Sequence, residues 1–144
     1  MTYIDTSIGR LQCTEEEGRK VLEATKVIDN ESVFVGVFVE SFEHVDVSLF
    51  AFASQIIDRF SKHRADAVTY LTNEYARAPE RFGGKVPVSE PIVSEPELNF
   101  FGGEKWAIRF AEGIFKICEP YGIVVEFEGQ TITGFEDLSE AEEL

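Results

Sequence analysis

The stretch "VFVGVFVE", residues 33–40, constrains the fold of this chain more than any other. Val33, Val35, Val37 and Val39 alternate with Phe34, Gly36 and Phe38, which is the period of two of a β-strand. Both of its faces are apolar. The spacing therefore predicts a central strand, covered on at least one side.

The cover follows directly in the chain. "DVSLFAFASQIIDRF" (46–60) places Leu49, Phe52, Ala53, Ile56 and Phe60 at helical spacing, with Phe50 and Ile57 widening the stripe. Asp46 is a suitable N-cap. "ADAVTYLTNEYARA" (65–78) continues or resumes the helix with Val68, Leu71 and Tyr75 on one face, and Pro79 ends it. A stripe this broad needs a sheet to lie on. The valine strand is the obvious candidate.

On the N-terminal side, "YIDTSIGRLQC" (3–13) reads as a strand or a bulged pair. Residues 14–28 allow two readings. Thr14 with Glu17 makes a capping-box pattern and favours a helix. Gly18 follows at once, however, and Val21, Glu23, Thr25 and Val27 alternate with Leu22, Ala24 and Lys26. A turn at 14–18 followed by a strand is preferred, with "DNES" (29–32) as the next hairpin turn.

Residues 79–97 carry four of the five prolines and the pair Gly83-Gly84, which predicts a loop or extended connector. A run of strands comes next. "LNFF" (98–101) leads into a Gly-Gly-Glu turn, and "KWAIRFAE" (105–112) sets Trp106, Ile108 and Phe110 on one face. "GIFKICE" (113–119) follows, then "PYG", then a hairpin over 123–136 that turns near Gly129-Gln130. The expected fold is α+β: a mostly antiparallel sheet, made of an N-terminal hairpin and a C-terminal meander, packed on one long or broken helical segment. With 144 residues, 44% of them apolar and 13 phenylalanines, the chain suffices for one domain over 1–144 without staples.

Its charge is lopsided. Lysine and arginine number 13 against 27 acids, a balance of −14. Residues 85–144 hold 13 acids and four bases, so most of the excess lies there. An acidic tail over about 136–144 ends the chain. This balance opposes direct nucleic-acid binding, which needs cationic surface to displace counterions. It would steer a cationic protein toward encounter. The plainer alternative is that acidity serves solubility alone.

No catalytic signature names a reaction, so the chain is not expected to be an enzyme. There is no G-x-G-x-x-G after a strand and no P-loop. Cys13 and Cys118 are too few for a disulfide framework or a zinc site, and both lie in apolar stretches, as buried thiols do in a reducing compartment. His44 and His63 each have an aspartate nearby, Asp46 and Asp66. One continuous helix would hold the two groups about 25 Å apart, so no metal or cofactor is expected. Glu126 and Glu128 share a strand face about 7 Å apart, a separation that would suit a hydrolase, but substrate-holding partners are missing. They read better as an acidic docking face with Glu136 and Asp137. Phe101 and Glu104 join them, since a turn carrying Phe100 and Phe101 must expose part of one ring. The N-terminus lacks a signal peptide's basic start and apolar run, and no stretch is long enough for a membrane helix, so a cytoplasmic address is expected.

Three pieces give the chain a likeness. They are the short strand ending in "IGRL" (8–11) with the hairpin leading to "VFVGVFVE", the long helix "LFAFASQIIDRFSKHRADAVTYLTNEY" (49–75), and the closing hairpin "PYGIVVEFEGQTITGFEDL" (120–138). In this order they resemble small bacterial α+β domains of the polymorphic-toxin immunity type. The likeness implies neutralisation of one cognate toxin domain in the cytoplasm, through a tight protein–protein complex. A nuclease toxin would be basic, because it grips phosphates. A nucleic-acid mimic that occupies a DNA-binding protein, or a small carboxylate-dependent hydrolase, are the alternatives.

Overall fold

In the computed structural model, which describes residues 2–139, two-residue turns fold the N-terminal third into a meander. The strands are β1 (Tyr3–Thr6), β2 (Gly9–Glu16), β3 (Arg19–Ile28) and β4 (Glu31–Val39). Glu17-Gly18 and Asp29-Asn30 all have positive φ, at 51°, 80°, 52° and 65°. Two such residues in succession make the hairpin turn whose twist matches the flanking strands. This decides residues 14–28 for strand over helix, but the turn is shorter than the expected 14–18, because residues 14–16 already belong to β2. The Thr14 hydroxyl donates across the sheet to Glu23 Oε1 at 2.9 Å instead of capping a helix.

After β4 the chain leaves the sheet and returns parallel to it. Helices α1 (Ser48–Asp58) and α2 (Phe60–Arg77) make the crossover, together with a 3-10 turn over Pro79–Phe82. A connection of this length is what a parallel pair requires. Val47, not Asp46, occupies the position just before α1. Asp46 still holds the first turn, because its Oδ1 accepts from the Ser48 amide at 2.9 Å and from Ser48 Oγ at 2.7 Å. Those bonds stabilise the carboxylate and lower its pKa. The helical segment is broken at Arg59, whose amide donates to Ile56 three residues back. The sequence places no proline or glycine there.

The remaining strands are β5 (Val93–Gly102), β6 (Lys105–Gly113), β7 (Ile123–Glu128) and β8 (Thr131–Asp137). The eight form one sheet in chain order, antiparallel throughout except where β4 meets β5. Two expectations change here. The connector ends five residues early, because Val93–Glu97 already belong to β5. Pro96 is tolerated in that strand because pairing with β4 begins only at Glu97, so no β4 carbonyl waits for the missing N–H. Residues 113–119 do not form a strand of their own: Gly113 ends β6 and the rest leave the sheet. Phe115, Ile117 and Cys118 turn inward through a 3-10 turn over Lys116–Cys118, and their burial outweighs further pairing.

Register separates the two faces of the sheet. One row runs Cys13, Leu22, Val37, Phe100, Trp106, Phe127 and Ile132; the next includes Ala24, Val35, Leu98, Ile108, Val125 and Phe135. The helices lie on this side. Phe52 meets Phe100 edge-on, His63 meets Trp106, and Tyr70 meets Phe135. Phe82 fills the end of the layer against Phe115 and Phe135, each at 4.7 Å between ring centroids. Among the described residues no helix is long and apolar enough to cross a membrane.

Candidate functional site: the uncovered face of the sheet

The other face carries the residues in between. A row runs across all eight strands through Tyr3, Gln12, Glu23, Gly36, Asn99, Ala107, Glu126 and Gly134. A second runs through Thr25, Phe34, Glu97, Arg109, Val124 and Glu136. No helix covers these rows.

The middle of this face is apolar and low. Gly36 and Ala107 stand in its central row, and Phe34 leans over Gly36: a Cβ added there would lie 3.1 Å from the Phe34 ring. Phe38 and Phe101 stack with centroids 5.4 Å apart and planes 18° apart, although Phe101 is 54% exposed. Val21 pairs with Phe38 on the next strand, and the Arg19 guanidinium sits 5.7 Å above the Phe38 ring. An adjoining depression of about 480 Å³ combines Val21 and Phe38 with Glu16, Glu17 and Glu23. Acids surround this apolar centre. Glu97 is matched by Arg109, whose Nη1 lies 2.7 Å from its carboxylate and whose Nε donates to the Tyr121 carbonyl. Glu126, Glu128 and Glu136 are exposed and make no ion pair among the described residues.

Of the residues singled out from sequence, the structure brings Glu126, Glu128, Glu136 and Phe101 onto this one face. Asp137 is not with them. It is registered opposite Ile123, and successive residues of a strand point to opposite sides. Glu104 sits in the β5–β6 turn, where its carbonyl accepts from the Gly129 amide at 2.9 Å. Glu140, Glu142 and Glu143 of the acidic tail lie outside the described residues. Phe34, Phe38 and Val21 were not anticipated as surface. Their alternation with core residues was visible, but nothing local says which face the helices leave open.

Among the described residues no group of three or more histidines, cysteines or acids is arranged to hold a metal. Cys118 is buried against Gly113, and burial pushes its thiol up to about 11, a value its acidic neighbours reinforce. It packs as a core group. No family model matches the chain, and no curated protein or solved structure is measurably similar to it.

Proposed function

We propose that this protein is a binding protein of the immunity type, which neutralises a basic toxin domain by laying the uncovered face of its sheet against it. The observation that carries the proposal is the composition of that face. Stacked aromatic rings form its centre, and carboxylates with no ion pair among the described residues stand on the same face. Buried aromatic anchors supply affinity in protein interfaces, whereas charge mainly sets the encounter rate and excludes wrong partners. The two roles are separately present here. An aromatic platform among irregularly spaced acids supports a folded protein partner over a phosphate-binding surface being mimicked. The same platform lacks an enclosed pair of carboxylates, which a hydrolase would need.

The test is co-expression with a basic toxin domain encoded beside this gene. The expected result is a stable complex that protects the cells, lost when Phe38 and Phe101 are both replaced by alanine. Protection by a double variant as complete as by the native chain would overturn the proposal.

A further inference from the structure

The uncovered face carries a stack of side chains that is closed at one end and open at the other. Phe38 projects from β4, which lies between β3 and β5. The Arg19 guanidinium reaches its ring from the β3 side at 5.7 Å. Phe101 stacks on it from the β5 side, with centroids 5.4 Å and planes 18° apart. Arg19, Phe38 and Phe101 therefore follow one another across three strands. Phe101 is the outer member, and 54% of it is exposed. Beyond it, toward β6 and β7, lies a depression of about 390 Å³ that Phe101 lines together with Lys105, Glu126, Glu128 and Thr133. No described cation lies over the Phe101 ring. Lys105 is registered opposite Glu128 but forms no ion pair with it. Two carboxylates against one ammonium leave the depression with one negative charge in excess.

Other rings of this protein already hold an arginine. Arg10 lies over Tyr3 at 4.5 Å and Arg81 over Phe135 at 4.6 Å. We infer that the depression seats one arginine side chain of the docked protein, with its guanidinium plane on the outer face of Phe101 and its N–H groups donating to Glu126 and Glu128. A guanidinium is planar and weakly hydrated, so it stacks on a ring while its in-plane donors meet carboxylates. A lysine ammonium is a strongly hydrated point charge and gains less from the ring. Lys105 illustrates this, since it lines the same depression without lying over Phe101. One arginine supplies the charge that the lining lacks. A second copy of this chain, with its net charge of −14, would be repelled. The inference rests on the reading of this face as a docking surface for a basic protein, and it adds which residue the partner places there.

The test titrates the full-length protein with N-acetyl-arginine amide, N-acetyl-lysine amide and N-acetyl-citrulline amide. It follows the NMR signals of the Phe101 ring and of the Glu126 and Glu128 side chains. The arginine probe is expected to shift all three saturably. The lysine probe should bind about two- to fivefold more weakly, the worth of an exposed cation–π contact. Citrulline, which keeps the planar shape without the charge, should bind more weakly still. Phe101→Leu keeps an apolar side chain and removes the ring, so it should weaken the arginine probe by about two- to fivefold. Glu126→Gln with Glu128→Gln should weaken it by about fivefold, and the remote Glu15→Gln should leave it unchanged. Absence of a saturable shift, equal binding of the lysine or citrulline probe, or undiminished binding by either variant would overturn the inference. The two proposals fail separately. A toxin complex that depends on Phe38 and Phe101, with no arginine probe bound, would remove the arginine seat and leave the docking surface. An arginine probe that binds as described, with no protection against a toxin, would remove the immunity function and leave the seat.

Discussion

His63 shows how a single residue can serve the fold and work against it. Removal from water lowers its pKa first of all, Lys62 and Arg59 lower it further, and only Asp66 opposes them. A histidine with a folded pKa below its unfolded value takes up protons preferentially on unfolding. Its contribution to stability is complete above the unfolded value of about 6.5 and is lost as pH falls toward the folded value. His63→Leu should therefore remove part of the drop in melting temperature between pH 7.5 and pH 5.5. At pH 7.5 it should change stability by less than about 1.5 kcal/mol, because the volume is nearly kept and no hydrogen bond is lost. An undiminished acid-side drop in the variant, measured by thermal melting, would show that other groups control it. Cysteine offers a second test. Cys118 is buried with its thiol pushed up to about 11, and Cys13 is half-buried, so a thiol reagent at pH 8 should modify Cys13 first. Faster labelling of Cys118, read by mass spectrometry of peptides, would contradict the packing described. The position of His63 was legible in part: Ile56, Phe60, His63, Ala67 and Leu71 follow one helical stripe. Its pairing with the indole of Trp106, 43 residues away, depended on a crossover that no local pattern reveals.

Among the elements, β4 and β5 carry the most weight. Their parallel pairing joins the N-terminal meander to the C-terminal one, and Val33, Val35, Val37 and Leu98 are all fully buried. Backbone amides of β4, β5 and β6 should be the slowest to exchange with solvent, and those of the edge strands β1 and β8 the fastest. Exchange in β4 as fast as in β8 would mean that the two meanders open independently. Gly36 provides a sharper probe of the same strand. A Cβ there would lie 3.0 Å from Asn99 Oδ1, 3.1 Å from the Phe34 ring and 3.3 Å from Val21. Gly36→Val should destabilise by about 1–3 kcal/mol through overpacking, measured by urea denaturation, despite the higher strand propensity of valine. A stabilised variant would show that Phe34 swings away freely. Most strands and the helices were readable because period and turn residues are local signals, whereas the choice of covered face was not. The early start of β5 and the inward turn at Phe115–Cys118 were not. There, tertiary burial overrode what proline and alternation suggest.

At the scale of the molecule, eight strands with helices on one side leave half of the sheet without a protein cover. Exposed carboxylates of Glu126, Glu128 and Glu136 and the aromatic platform share that open half, which is why charge and fold bear on the proposed function together. Exposed ion pairs are individually worth only about 0–1 kcal/mol, so the acids should act through the long-range field and the rings through burial. This separation gives the most direct measurement for the proposed function: the association and dissociation rates of a basic toxin domain, should one be encoded beside this gene, across a range of salt concentrations. For Glu126→Lys with Glu128→Lys and Glu136→Lys, the association rate at low salt should fall by about tenfold or more and lose most of its salt dependence. For Phe38→Ala with Phe101→Ala, the dissociation rate should rise while the salt dependence of association stays as in the native chain. Native association rates in the charge-reversed protein, together with native dissociation in the alanine pair, would contradict the account.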